Sequence, residues 1–338
     1  MSAADLVHFR VGHTVLLRDA SDSTVDVVGK VVVRTSNGVN SYIAVKLLEA
    51  DDNSSYSHDL SDCDKVMVIG SVNAEGAAMP SGISYDPDKL YNYTQIFRTP
   101  LSITRTARKT KLRTGDEMKR EALELHGIEM EKAFLFGIPY EGVGDNGKPE
   151  RTTEGLVTCI RTNNSGNVSD FQLNATYHGK NWLDDGGGED FLYAYFEQAF
   201  RYGRQEKLAV CGTGALLGLS KLAAASGHFT MTPQTKAYGI SVTEMVTPFG
   251  VVNFKTHPLF NIESTLRNSL VLFEPENCVY RYIDDTTFYG ENGKTTSEGN
   301  NGGRIDGTQE EFLTECGLEY HHPYTAAFLS GVGLNHTA

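Results

Sequence analysis

The chain has 338 residues, 40% of them hydrophobic, and a formal net charge of −13 from 30 basic and 43 acidic side chains. That length allows a sizeable buried core and two or three subdomains, while the acidic balance argues against general attraction to nucleic acid. No run approaches the roughly 18 apolar residues of a membrane span, and the start Met1-Ser2-Ala3-Ala4-Asp5 lacks the apolar stretch of a signal peptide. Cys63, Cys159, Cys211, Cys278 and Cys316 lie far apart with no CxxC pair. They argue against a zinc site or a disulfide framework and fit buried free thiols in a reducing compartment.

Residues 8 to 70 read as β structure. Val11, Val15 and Leu17 alternate with polar or small neighbours, and Val25 to Val33 and Tyr42 to Leu48 supply two β-branched or aromatic runs. Asn37-Gly38 marks a turn between them, Asp51-Asp52-Asn53-Ser54-Ser55 a solvated loop, and Val66 to Ile69 a further short strand. The plain reading is a small antiparallel sheet or barrel. Residues 71 to 91, with Gly76, Pro80, Gly82 and Pro87, form a connector into an extended stretch from Tyr91 to Ile103.

Gly115 to Phe136 is the longest uninterrupted helical signal. Thr114 or Gly115 serves as cap, and Asp116 and Glu117 follow in the first turn, where carboxylates offset the amino-end dipole. Spacing sets Asp116 with Lys119 and Arg120, and Glu129 with Lys132. Gly137 and Pro139 end the helix, which at 1.5 Å per residue is about 30 Å long. Met118, Ala122, Leu125 and Phe136 form one apolar stripe; Leu123, Met130 and Phe134 form a second, with Lys119 and His126 between them. Glu117, Arg120, Glu124 and Glu131 occupy a polar side. Two stripes suit a spine packed against different layers, or against its own domain and a neighbouring subunit. A long core helix of an ordinary α+β domain is the plainer alternative.

Beyond the helix, Glu141 to Thr153 reads as a Gly-rich loop and Gly155 to Arg161 as a strand. Asp184 to Glu189 reads as a turn, followed by an amphipathic helix marked by Phe191, Tyr195, Ala199 and Phe200 and ending near Gly203. Leu208 to Cys211 is a short buried strand, followed by a helix from about Gly214 to Ala225. Val242 to Phe254 alternates like a hairpin that turns at Pro248-Phe249-Gly250. Leu270 to Glu274 and Cys278 to Ile283 read as strands, Gly290 to Gly307 as a long polar loop, and Glu311 to Tyr320 and Ala326 to Val332 as closing strands.

Several of these segments are familiar in their order. Asn92-Tyr93-Thr94-Gln95-Ile96-Phe97, the Thr-x-Thr of Thr104 and Thr106, the Gly115-Asp116-Glu117 helix start and the run Glu129 to Gly137 resemble major capsid proteins of tailed bacteriophages with the Hong Kong 97-type fold. The similarity runs from about Val66 to Gly331 and rests on the order and spacing of several motifs, none decisive alone. The resemblance implies an α+β, Hong Kong 97-like capsid fold with peripheral and axial domains and a long spine helix. Residues 1–80 would be an extended N-terminal arm or loop carrying a β-rich insertion, and 81–175 the peripheral domain with the spine. Residues 176–262 would be the axial domain, and 263–338 the strands that return to the peripheral domain. No long helical or disordered leader precedes the first strand, which leaves open whether one was removed by a maturation protease or never existed.

The function implied is that of a major head protein, not an enzyme. It would assemble with itself into hexamers and pentamers of an icosahedral shell enclosing double-stranded DNA. Decoration, portal and scaffolding proteins would be further partners, with no sequence-specific DNA binding, no membrane and no cofactor. The location implied is the virion, assembled in the host cytoplasm. Between Arg98 and Arg113 lie Arg98, Arg105, Arg108, Lys109, Lys111 and Arg113 and no acid, an asymmetry in so acidic a chain. The run suits acidic surface on a neighbouring copy better than DNA, because no aromatic stacking pattern or DNA-reading motif accompanies it. With Glu117, Arg120, Leu123, Glu124, Met130, Glu131 and Phe134, these are the candidate inter-subunit or packing residues.

Chemistry has one rival claim. Val210-Cys211-Gly212-Thr213-Gly214-Ala215-Leu216-Leu217-Gly218 reads as strand, glycine turn and helix, close to a dinucleotide fingerprint and therefore to a nucleotide-cofactor oxidoreductase. The spacing to the third glycine is wide, and no ribose-binding acid follows on a next strand. His321-His322 are adjacent and would point to opposite faces of an extended chain. Asp184-Asp185-Gly186 lacks calcium-loop spacing. Neither a catalytic nor a metal residue is assigned, and no Lys and Asn stand out as a cross-linking pair.

Overall fold

A computed structural model describes residues 3–20, 26–49, 60, 63–85, 87, 89–110, 114–227, 230–237, 240–291 and 307–336. The chain divides into two compact units, Met1–Lys89 and Leu90–Ala338. The expected loops at Asp51 to Ser55 and, for the most part, Gly290 to Gly307 lie outside the described residues, as do Lys111 and Arg113.

The first unit holds a short helix α1 (Ala3–Leu6) and four strands, β1 (His13–Arg18), β2 (Asp26–Thr35), β3 (Tyr42–Leu47) and β4 (Lys65–Ser71). They form an antiparallel sheet in the order β3-β2-β1-β4. Alternation along β1 turns Val15 and Leu17 inward, where Phe9 and Val31 close the core with Ile43, Val45 and Val66 against them. Gly29 lies under β3, where a Cβ would meet Val45 Cγ1 at 2.2 Å. The sheet read from the alternation is therefore present, and Gly38 turns between β2 and β3 at φ +55°.

The second unit opens with β5 (Gln95–Thr104), α2 (Arg105–Lys109), α3 (Gly115–Phe136), the hairpin β6 (Tyr140–Val143) and β7 (Pro149–Thr152), and α4 (Leu156–Asn163). There follow β8 (Val168–Asp170), α5 (Gly188–Phe200), β9 (Glu206–Cys211), α6 (Thr213–Ser226), β10 (Thr230–Ala237), β11 (Ile240–Thr247) and β12 (Gly250–Thr256). Then come α7 (Leu259–Ile262), β13 (Leu270–Phe273), β14 (Cys278–Glu291), β15 (Gly307–Tyr320) and β16 (Ala327–Ser330). Seven strands make one sheet in the order β10-β11-β12-β9-β13-β16-β8, and three make another, β14-β15-β5.

Side chains alternate across the seven-stranded sheet and divide its core in two. Leu270, Leu272 and Leu329 face α5 and α6, where Phe171, Trp182, Phe191 and Phe196 are packed ring to edge. Val271 and Phe328 face Leu156, Val157 and Ile160 of α4, with Phe260, and the last turn of α3 packs there through Leu135 and Phe136. This is an α+β fold in which the C-terminal strands rejoin the sheet beside the long helix, the arrangement that the capsid resemblance implies.

Residues 155–161 depart from expectation, since α4 is a helix and not a strand. The apolar run is short and holds Val157 and Ile160, and periodicity alone does not separate such a run from a strand. What settles it is tertiary. Gly155 caps the helix against the end of α3, where a Cβ would lie 2.6 Å from Leu135 C, and its N–H donates to Gly137 O at 2.9 Å. Strands β14 and β15 are also longer than expected, because their pairing continues through register shifts to Glu291 and Gln309.

Candidate assembly surface

Helix α3 begins at a reciprocal capping box. Glu117 N–H donates to Thr114 Oγ1 at 3.4 Å, and Thr114 N–H donates to the Glu117 carboxylate at 3.1 Å. Glu117 thus serves its own helix. One line of side chains seats the helix on the three-stranded sheet. Lys119 Nζ is 3.1 Å from Glu310 Oε2, an ion-pair contact, and 4.7 Å from the centre of the Phe288 ring. His126, fully buried, has Nδ1 2.9 Å from Thr99 Oγ1 and Nε2 2.7 Å from Thr314 Oγ1, and Thr314 bonds on to Thr286 at 2.9 Å. Met130 Sδ is 3.9 Å from Cys316 Sγ, and Phe134 sets its ring edge-on to Phe97 and Tyr280.

The line of contact therefore runs through Lys119 and His126, which the helical projection placed between two apolar stripes. Ala122, Met130 and Phe134 flank it, one from the first stripe and two from the second, whereas Leu123 and Leu125 remain 46% and 51% exposed. The reason is the sheet, which offers Thr99, Thr314 and Glu310 as partners for a polar line. Two expected pairings change with it. Lys119 pairs across to Glu310 and not along the helix to Asp116, and Glu129 faces Thr99 Oγ1 at 3.4 Å. Burial pushes the His126 pKa below the ordinary histidine value, with Glu129 pulling weakly the other way. Either neutral tautomer is satisfied, since each threonine hydroxyl can donate or accept.

The remaining candidates scatter. Arg98 lies on the opposite face of the sheet in a bidentate pair with Glu311, at 3.0 and 2.7 Å. Arg105 and Lys109 are exposed on α2, which Thr104 caps, and Arg108 lies on the same short helix. Arg120 and Glu124 are exposed on α3, and Glu131 stands 3.7 Å from His257 Nε2. On the edge strand β14, Tyr282 and Ile283 are open to solvent at 58% and 69%.

One organising residue carries no local signal. Asn92 Nδ2 donates to Thr153 Oγ1, Glu154 O and Leu318 O, and its Oδ1 accepts from Tyr93 N–H and Glu154 N–H, at 2.6–3.1 Å. It ties the start of β5 to the β7–α4 junction and to β15. Its importance was visible only as one letter of the Asn92-to-Phe97 run.

The rival glycine turn is filled by the chain itself. Thr213 N–H and Oγ1 donate to Asn261 Oδ1 at 2.8 and 2.9 Å, and Gly212 and Ala215 N–H donate to Ser269 O and Arg267 O at 3.1 Å. A Cβ at Gly214 would meet Asn268 Oδ1 at 2.7 Å, and one at Gly218 would meet Gly333 Cα at 2.3 Å. The glycines serve close packing, and the amides that would cradle a pyrophosphate are spoken for. His321 pairs with Glu319 at 2.7 Å, and among the described residues no group of three or more His, Cys, Asp or Glu is placed to hold a metal. Burial pushes the Cys159 thiol up to about 11 and those of Cys211 and Cys278 up to about 12, so these stay protonated near neutrality. No helix of the described residues is long and apolar enough to cross a membrane.

Comparison with known proteins places these features. Residues 16–333 match the family model described as SU10 major capsid protein. The major capsid protein of Pseudomonas phage PaMx41 is 25% identical over 295 residues; the alignment covers 79% of this chain and 66% of that protein, so the chain spans just under two thirds of its relative. Among solved structures, the capsid of an empty GTA particle is similar at 10% identity and a TM-score of 0.49, over 77% of this chain and 80% of that one. Mycobacterium phage Patience is similar at 12% identity and a TM-score of 0.43, over 80% of each chain. The satellite phage P4 procapsid is similar at 11% and 0.41, over 78% of this chain and 84% of that one.

Proposed function

The chain belongs to the SU10 major capsid protein family, and from that premise we propose that it is a major head protein, building an icosahedral shell from hexamers and pentamers of itself around double-stranded DNA. The observation that carries the reading is the family match over residues 16–333, which takes in most of both units. What the subunit leaves in water supports it. Leu123 and Leu125 flank the helix seat, and Tyr282 and Ile283 lie on an open strand edge. Each such contact is modest, yet apolar burial at roughly 25 cal/mol per Å² accumulates when every copy touches several others.

Within this reading the β-rich residues 1–80 act as the reaching arm and loop. Residues 81–175 and 263–338 form the peripheral domain around α3, and 176–262 the axial domain. Arg105, Lys109, Arg120, Leu123 and Glu124 are the residues that meet neighbouring copies, with Glu131 at the edge of that surface. Arg98, Met130 and Phe134 hold their own subunit, through Glu311, Cys316 and the Phe97 and Tyr280 rings. The net charge of −13 keeps packed DNA from adhering to the inner wall, because phosphates and carboxylates repel. The role is structural, in the virion, after assembly in the host cytoplasm. Portal, scaffolding and decoration proteins are the other components such a shell would meet.

Negative-stain microscopy of the expressed chain tests this directly. Closed particles of uniform size are the expected result. A solitary subunit at every concentration and ionic strength, or tight capture of duplex DNA by disassembled subunits at low salt, would overturn it.

A further inference from the structure

An open sheet edge offers a row of unpaired amides and carbonyls, and proteins blunt such edges with charges, prolines or very short strands. Most described edge strands of this chain follow that rule. Lys46 lies on β3, Arg98 and Pro100 on β5, Pro233 and Lys236 on β10, and Arg281, Asp284 and Asp285 on β14. The β6–β7 hairpin carries Glu141, Glu150 and Arg151, and β8 has three residues ending in Asp170.

Strand β4 breaks the rule. Val66, Met67, Val68 and Ile69 follow one another with no charge or proline, and the last three are 53%, 37% and 48% exposed. One edge of β4 pairs with β1; among the described residues no strand pairs with the other. A cavity of about 990 Å³ lies beside it, lined by every residue from Asp64 to Val68 and by Phe9 and Tyr85. Successive side chains of a strand point to opposite faces, so lining by consecutive residues means that the strand's edge, and not one face, looks into the opening. A slot along a free edge, with apolar walls, is the form of a strand-addition site.

We propose that β4 is an interface strand that pairs antiparallel with β4 of a second copy of this chain, continuing the sheet across a two-fold axis. The proposal rests on the self-assembly reading for its choice of partner. The strand's own sequence supplies the argument. A two-fold interface uses one patch twice, so the strand must be complementary to itself, and a register centred on Met67 meets that condition. It sets Val66 against Val68 of the second copy and Met67 against Met67. Lys65 is the one charge in β4, and this register keeps the two copies of it four residues apart, about 13 Å along the strand, beyond a screening length of roughly 8 Å. The other edges of this chain listed above would each bring a charge or a proline against the apolar tetrad, or are too short to cover it. The register shift of β4 lies beyond Val68, towards Gly70, which leaves Lys65 to Val68 regular.

The test uses full-length chains carrying Cys63→Ser with Met67→Cys, treated with a short bis-maleimide. Val33→Cys in the same background is the control, since Val33 is 44% exposed on the interior strand β2. Expected is a covalent dimer from Met67→Cys at least ten times more abundant than from Val33→Cys. It should be lost when Val68→Lys, which lines up charge in the same register, is added without change in melting temperature. Equal, low cross-linking from both cysteines overturns the pairing. Imaging of the same preparations separates the two readings. Particles without the cross-link overturn this pairing alone, and the cross-link without particles supports it while overturning the shell.

Discussion

The two sheets of the larger unit receive their helices through opposite chemistry. Helices α5 and α6 meet the seven-stranded sheet through Phe191, Phe196, Leu219 and Leu222 against Ala209, Phe254 and Leu272, with hardly a polar atom between them. Helix α3 meets the three-stranded sheet through a lysine, a histidine and the hydroxyls of two threonines. Apolar burial is strong and non-directional. A hydrogen bond contributes only about 1 kcal/mol net, but it is directional, and an orphaned partner is costly. The first contact therefore supplies stability and the second fixes position. If α3 slid by one turn, about 5.4 Å, His126 would lose both partners at once.

If that division is right, the same kind of deletion should cost unequal amounts in the two places. Phe191→Ala removes a ring in contact with Phe171, Tyr177, Trp182 and Tyr195. The expected loss is about 3–5 kcal/mol by chemical denaturation. Thr314→Val keeps the shape of the helix seat and removes one hydroxyl, leaving His126 Nε2 and Thr286 without their shared partner. Its expected cost is smaller, about 1–3 kcal/mol, with faster amide exchange concentrated in α3. A loss from Thr314→Val as large as that from Phe191→Ala would break the comparison.

Acid sharpens it. The folded His126 pKa lies below 6.5, because burial disfavours the imidazolium. Above about pH 6.5 the ring is neutral in both the folded and the unfolded chain, and its contribution is complete. As the pH falls from there to the folded value, the unfolded chain takes up a proton that the native one refuses, so stability declines. Comparing wild type with His126→Gln from pH 7.5 to pH 5 isolates the effect, with a slope expected in the wild type and a flatter profile in the variant. Protonation leaves both threonines able to accept, so the decline should be gradual and not a collapse of the seat.

Where the sequence spoke clearly, its signals were local. The bounds of α3 follow from Thr114, Glu117 and Gly137, all within a turn of its ends, and the β11–β12 hairpin follows from strict alternation and a Pro-Phe-Gly turn. Where it failed, the deciding partner was distant. Residues 155–161 looked like a strand because Val157 and Ile160 are β-branched, and they are helical because Gly155 abuts the far end of α3. His126 looked like a polar interruption between stripes, because its partners lie 27 and 188 residues away in sequence. The candidate surface was half legible for the same reason. Helical projection finds an exposed leucine, but not which polar line the sheet will accept.

The smallest effect on the subunit is expected at Leu123, where the comparison meets assembly. Leu123 is 46% exposed on α3, beside the seat and outside it. A surface substitution there costs within about 0.5 kcal/mol of subunit stability, so Leu123→Asp should denature with the wild type. A shell is more demanding, since each copy would bury an unpaired carboxylate at its contact with the next. The expected phenotype is a folded, soluble subunit that fails to form particles, read by denaturation and by microscopy on one preparation. Normal particles would place Leu123 at a solvent-facing position of the shell. Loss of the fold itself would mean that the apolar flank of α3 is part of its seat, and the contrast between a polar line that positions and open flanks that wait for neighbours would be wrong.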